Sequence, residues 1–272
     1  MGYEGMMAHD ISELTCENPW REDMELPALP VYKNALTYDG HYCEVSGADF
    51  GAMRERLLAV ADRLGLEREE LTIGDNAPDE ETEKIIREKL EGEEVDAYLK
   101  PTAVTAEADG IRIEVDMQMR TRIGFEPERA LPEQYHFTYE STYEELAALA
   151  EYLQETYEEL IHMEKPRAEI GYGDYTYAGE RMFTHLAFFD TAGSSVDQIL
   201  NYNFNRIEFN CGENGGLSSV WISQPDLSDL VGNYPIISAE EARALLLKGN
   251  YITSVPYEVP GGEYIRRVEL VY

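Results

Sequence analysis

Along residues 111–120 apolar and polar residues alternate without a break. Ile111, Ile113, Val115, Met117 and Met119 interleave with Arg112, Glu114, Asp116, Gln118 and Arg120. A period of two puts the first set on one face of a strand and the second on the other. Just upstream, Asp109-Gly110 supplies the positive φ angles of a two-residue turn, so residues 104–119 are expected to form a hairpin. One apolar and one charged face means antiparallel sheet covered on a single side. The pattern recurs where Ile207, Phe209 and Cys211 alternate with Glu208 and Asn210. There the chain turns at Glu213-Asn214-Gly215-Gly216 and returns along residues 217–222. A further hairpin is expected from residues 169–177 and 182–189 about Ala178-Gly179, and shorter strands at 41–45, 71–73 and 135–139.

Between these runs the period changes to that of a helix. Phe50, Met53, Leu57, Val60, Ala61 and Leu64 share one face after an Asp49 cap, and Gly65 closes the segment. A second helix is expected to start at Asn76 or Ala77. It has Pro78 in its first turn, Asp79, Glu80 and Glu81 at the positive end of its dipole, and Gly92 at its end. Its stripe of Ile85, Ile86 and Leu90 is thin, which puts it at the margin of the core. The longest helix is expected after a Ser141/Glu144 capping box, with Leu146, Leu149, Ala150, Leu153, Tyr157, Leu160 and Ile161 inward. Its other face carries Glu144, Glu145, Glu151, Glu155, Glu158 and Glu159 with no basic residue before Lys165 and reads as solvated surface. A short helix is placed near residues 196–200. A last one starts at Ser238 with Glu241 reaching back, and Gly249 stops it. Val268 and Leu270 read as a final strand running to Tyr272. A strand ending so abruptly suggests a chain that continues further.

Together these elements predict an α+β protein of antiparallel β-sheets with amphipathic helices packed on one face, in two sequential lobes. Residues 1–40, broken by Pro19, Pro27 and Pro30, form an extended lead-in. Residues 41–130 form the first lobe and 131–272 the second, joined near 125–135. Two segments, beginning near His41 and Tyr135, share the outline of strand, capped helix and sheet. An internal duplication would explain this, although no residue-level period accompanies it.

Charge narrows the partners. The 22 Lys+Arg against 54 Asp+Glu give a formal −32, which repels nucleic acid and anionic membrane surfaces and favours solubility, weak cation binding or a basic partner. No run of 18 apolar residues is present to span a bilayer, and the first residues lack the basic and apolar regions of a signal peptide. Cys16, Cys43 and Cys211 form no Cys-x-x-Cys or Cys/His pair, so no zinc or thioredoxin-type motif is written here, although one disulfide is compatible with three cysteines.

The chain carries no recognised catalytic motif. His9, His41, His136, His162 and His185 lie in no metal-ligand spacing, and His185 within an aromatic strand reads as a sheet histidine. There is no Gly-x-Ser-x-Gly elbow and no Walker Gly-Lys-Ser/Thr. Gly171-Tyr172-Gly173 lacks the third glycine of a dinucleotide fingerprint, and Asp75-Asn76-Ala77-Pro78-Asp79 lacks the central glycine of an EF-hand loop. No metal or cofactor is expected. The second hairpin is the densest aromatic stretch, with Tyr172, Tyr175, Tyr177, Phe183, Phe188 and Phe189. Aromatics favour strands, so it reads first as sheet core. Its functional reading is a stacking surface for a peptide or sugar, with Tyr172, Tyr175 and Tyr177 as the binding residues.

The C-terminal block also carries a resemblance. Asn201-Tyr202-Asn203-Phe204-Asn205, the Val231-to-Ala242 stretch with Tyr234-Pro235-Ile236-Ile237-Ser238, Gly249-Asn250-Tyr251-Ile252 and Val268-Glu269-Leu270-Val271-Tyr272 resemble the tail of uncharacterised, lipoprotein-like extracytoplasmic proteins of low-GC Gram-positive gut bacteria. Leu29-Pro30-Val31-Tyr32-Lys33-Asn34 is similar to their lead-in. More distantly, residues 201–272 are similar to PepSY-like modules and YycH/YycI-type regulators. The resemblance implies a place outside the cytoplasm and a regulatory or binding role, and it brings no catalytic residues. The expected function is therefore a non-enzymatic extracytoplasmic module that meets a protein or peptide through a sheet edge or the aromatic hairpin. The alternatives are a cell-wall or glycan-acting hydrolase with paired carboxylates and a Ca²⁺-dependent surface adhesin.

Overall fold

A computed structural model describes residues 18–33, 37–38, 45–46, 49–90, 95, 98–175, 181–225, 227–252, 261–265 and 268–270. In chain order its elements are β1 (Ala28–Tyr32), β2 (Thr37–Tyr38), β3 (Val45–Ser46), α1 (Phe50–Arg63), β4 (Thr72–Asp75), α2 (Glu80–Lys89), β5 (Ala103–Ala108), β6 (Ile111–Asp116), β7 (Thr121–Arg129) and α3 (Tyr143–Thr156). There follow α4 (Glu158–Ile161), β8 (Pro166–Tyr175), β9 (Arg181–Asp190), α5 (Ser195–Phe204), β10 (Arg206–Cys211), β11 (Leu217–Ser223), β12 (Leu230–Pro235) and α6 (Ala239–Leu247).

The alternating run becomes β6, with Ile111, Ile113 and Val115 buried and Arg112 exposed. Asp109 and Gly110 make the expected turn at φ 48° and 72°. Gly110 is needed there twice over. Its φ is left-handed, and a Cβ would lie 2.4 Å from the Glu126 carbonyl oxygen of β7. The alternation of 111–120 does not continue as strand to its end, because Met119 turns at φ 59° and the chain returns as β7. The end of β7 falls within residues 125–135, where the joint between the lobes is expected, and no strand is expected over 121–129. Yet Thr121, Ile123 and Phe125 are buried and alternate with Arg122, Gly124 and Glu126.

Eight strands form one sheet in the order β4-β5-β6-β7-β11-β10-β9-β8, antiparallel throughout. Its topology repeats one unit: a helix followed by a four-stranded meander, α1 with β4–β7 and α3 with β8–β11. The last strand of each unit pairs with that of the other, placing Ile123 opposite Val220 and Thr121 opposite Ile222. Helix α2 interrupts the first meander and α5 the second. The boundary expected near residue 130 thus falls at the midline of a shared sheet. Met53 and Leu57 of α1 and Leu146, Leu149 and Leu153 of α3 join Ile113, Ile123, Phe188, Phe209 and Val220 in one core. The α+β antiparallel architecture expected from the periodicity is the one observed.

Helix α5 lies on the other face. Phe188 points into the α1/α3 core, where its ring meets Phe209 edge-on, whereas the next residue, Phe189, meets Tyr202 of α5 edge-on at 5.1 Å. Ile199 of α5 joins Trp20, Leu29 and Ala239 in a second, smaller core. β1 and β12 pair beside it, so part of the lead-in and the stretch ending in Tyr234-Pro235, for which no strand is expected, form a two-stranded ribbon. Val268 and Leu270 pack against this second core without belonging to a strand.

Caps moved by a residue or more where competing hydrogen bonds claimed the expected side chain. Asn76 accepts the N–H groups of Thr102 and Ala103, so Asp79 caps α2 instead, accepting from Thr82 N–H. The Ser141 hydroxyl donates to the His136 carbonyl, and the capping box of α3 is Thr142 with Glu145. The helix expected to reach Ile161 breaks at Tyr157, with α4 following. Residues 135–139 are not a strand but a turn-rich segment held by Phe137, which is fully buried. Phe50, expected inward, is exposed in the first turn of α1.

Asp190 fastens the start of β8 to the end of β9. Its carboxylate accepts the N–H groups of Glu164 (2.9 Å), Lys165 (3.0 Å) and Ala192 (2.8 Å). Burial pushes this carboxyl up, but the three N–H donors outweigh burial and hold it below its ordinary value. A folded value below the unfolded one means stabilisation present above about pH 3.9 and lost as the pH falls through the folded value. Asp190→Asn is expected to cost about 1–2 kcal/mol at pH 7. Urea unfolding at pH 7 and pH 3 should show this gap narrowing in acid, and an equal gap at both would refute the assignment.

Candidate functional site

Tyr172 and Tyr175 fall on β8, opposite Thr184 and Arg181 of β9, and Tyr177 lies outside the described residues. β8 ends the strand order, with no strand on its outer side among the described residues.

A different place collects chemistry. On the sheet face away from α1 and α3, the registers set a transverse row of Glu114, Arg122, Trp221 and Glu208 on β6, β7, β11 and β10. One step along, Asp116 of β6 and Arg120 of the β6–β7 turn face Ser223 and Arg206 of β11 and β10. Between these rows and Asn203 near the end of α5 lies a cleft of about 430 Å³. Trp221 stands on its floor 49% exposed, in the middle of an eight-stranded sheet, whereas Trp20 is buried. Large aromatics are usually highly buried, so one left open at a sheet centre is informative.

The charges of the cleft are unequally committed. Asp116 accepts the Gln118 and Arg120 N–H groups on one oxygen and the Arg120 guanidinium on the other. Arg206 forms an ion pair with Glu169, which also accepts from the Tyr202 hydroxyl at 2.8 Å, and its guanidinium lies 5.3 Å from the Tyr202 ring centre. Arg122 lies over the Trp221 ring at 5.7 Å. Among the described residues neither Arg122 nor Glu208 forms an ion pair.

Beside the cleft, His185 occupies the space over Gly171. A Cβ on that glycine would sit 2.0 Å from the imidazole Cε1, so Gly171 serves a close approach rather than a phosphate loop. Burial pushes His185 below its ordinary value, against the Glu208 and Glu169 carboxylates and with the Arg206 charge. Cys211 is a free thiol pushed up to about 11, chiefly by burial, with the Glu128 charge adding to it, so it carries no thiolate for nucleophilic chemistry at neutral pH. Among the described residues no group of three or more His, Cys, Asp and Glu side chains is placed to hold a metal ion. Nor is any described helix long and apolar enough to cross a membrane.

Sequence reading missed this cleft. One local signal was present: Trp221 sits out of phase with Val220 and Ile222, which marks it as facing away from the core. Nothing local joins it to Arg122 or Glu208.

Fold and cleft define the class as an antiparallel α+β protein with an open, ligand-sized recess on the sheet face opposite α1 and α3. No family model and no curated protein matches the chain. A solved structure of an uncharacterised protein from Eubacterium rectale ATCC 33656 is similar at TM-score 0.35 and 9% identity, over 82% of this chain and 66% of that one.

Proposed function

We propose that this chain is a non-catalytic binding module that holds a peptide segment of its partner in the Trp221 cleft. The observation that carries the reading is the exposed indole at the sheet centre, flanked by a guanidinium and a carboxylate without ion-pair partners among the described residues. An aromatic anchor ringed by polar groups is the usual make-up of a binding hot spot, and the volume lies in the range of small-ligand sites. The proposal moves the contact surface from the hairpin of Tyr172, Tyr175 and Tyr177 to the sheet face. A regulatory role outside the cytoplasm, of the PepSY-like or YycH/YycI type, rests on the resemblance of the C-terminal block alone.

The glycan-hydrolase alternative finds weaker support. Glu114 and Glu208 are separated by two intervening strands, roughly 14 Å between backbones, against the roughly 5–9.5 Å between carboxyl groups that glycosidases use. Glu114 and Asp116 are nearer, but both Asp116 oxygens are engaged.

The test is a peptide-display selection on the purified chain, followed by affinity measurements on Trp221→Ala. Selected peptides should bind the variant at least ~10-fold more weakly. Peptides that bind both proteins alike would overturn the proposal. Glycan turnover lost in Glu114→Gln would replace it with the hydrolase.

A further inference from the structure

Resting on that reading, we infer that the cleft selects a short peptide segment carrying both charges: a carboxylate met by Arg122, a cation met by Glu208, and an apolar or aromatic side chain laid on Trp221. The cleft holds three arginines and three acidic residues, so its formal charge sums to zero in a chain of −32. This local balance sets it apart from the rest of the surface. The commitments described above then decide which charges a ligand can use. Arg120 is tied to Asp116, and Arg206 to Glu169. Recruiting either for a ligand would strand a carboxylate. Arg122, held over the Trp221 ring, and Glu208 have no ion-pair partner to strand among the described residues, and they stand on opposite sides of Trp221 in the same row.

Spacing supports the assignment. Arg122 and Glu208 lie two strand spacings apart, roughly 10 Å between backbones. The first and third Cα atoms of an extended tripeptide lie two steps, roughly 7 Å, apart, and the long Lys and Glu side chains cover the remaining distance, so a tripeptide whose middle ring rests on the indole can reach Arg122 and Glu208 with its two outer side chains. A ligand of one sign meets repulsion wherever it turns. An anion must pass Glu208, Glu114 and the acidic surface, and a cation must lie against Arg122 and its two arginine neighbours.

Because Trp221 is exposed and Trp20 buried, intrinsic fluorescence reports the cleft. The probes are N-acetylated, C-amidated tripeptides: Lys-Phe-Glu and Glu-Phe-Lys, single-charge controls Lys-Phe-Gln and Gln-Phe-Glu, and neutral Gln-Phe-Gln. One of the two doubly charged orders should bind at least ~10-fold more tightly than every control. Arg122→Gln should erase the preference for the glutamate, and Glu208→Gln that for the lysine, each with an unchanged thermal melt. Arg122→Lys should keep part of the preference, which covers the case in which Arg122→Gln unfolds. Equal binding of single-charge and doubly charged peptides overturns the inference, as does silence from all five probes. In either case the binding reading survives if display selection still yields Trp221-dependent peptides, and it fails if none emerges.

Discussion

Phe209→Ala is expected to lower the unfolding free energy by about 3–5 kcal/mol, with a fall in Tm of roughly 6–20 °C. Phe209 is fully buried in β10. Its ring meets Tyr157 at 5.3 Å and Phe188 edge-on at 5.8 Å, so truncation removes apolar burial and two aromatic contacts together. Tyr157 follows α3 and Phe188 belongs to β9, so the cavity would open between the second helix and its meander. That region cannot collapse easily, because β10 is hydrogen-bonded on both sides, to β9 and β11. Urea unfolding followed by circular dichroism measures the loss. A cost under about 1 kcal/mol would mean that Phe209 is not at a packed centre of the core.

Glu169→Ala is expected to cost about 2–4 kcal/mol, toward the lower part of the range for breaking a buried ion pair because the pair is partly solvated. The Glu169 and Arg206 side chains are only 16% and 22% exposed. Alanine would leave the guanidinium and the Tyr202 hydroxyl without their common acceptor. Glu169→Gln keeps a carbonyl oxygen for Tyr202 and should recover part of the loss. The same change removes one of the two carboxylates that hold His185 up, so its imidazole should titrate at still lower pH. The proton NMR signal of the His185 ring reads that shift. An unaltered titration together with unaltered stability would show that the Glu169–Arg206–Tyr202 cluster does not brace the cleft wall.

Much of the architecture was legible because it is local. The Asp109-Gly110 turn, the faces of α1 and α3 and the strands on either side of Gly215-Gly216 each follow from a period or a turn pair within about a dozen residues. Errors arose where a local signal had a distant competitor. Ser141 and Asn76 look like caps, but the His136 carbonyl and the Thr102 and Ala103 N–H groups claim them. Residues 230–235 show no period of two, because both faces of β12 are largely exposed, and the segment becomes a strand only through β1. The site was less legible than the fold. Its floor draws on β6, β7, β10 and β11, whose nearness to one another depends on the β7–β11 pairing.

By itself the sequence determined the helices α1, α2, α3, α5 and α6, the β5–β6 and β10–β11 hairpins with their apolar faces, and that these strands are antiparallel, because side-chain period and turn chemistry act over short distances. It also determined an acidic chain without recognised catalytic motifs. The tertiary structure alone decided that two helix-and-meander units share a sheet and a core, since pairing β7 with β11 joins residues about 100 positions apart in sequence. It also decided that α5 covers part of the open face and leaves Trp221 uncovered between Arg122 and Glu208. No local pattern encodes that row, because each of its members is an ordinary outward-facing residue until the neighbouring strand arrives.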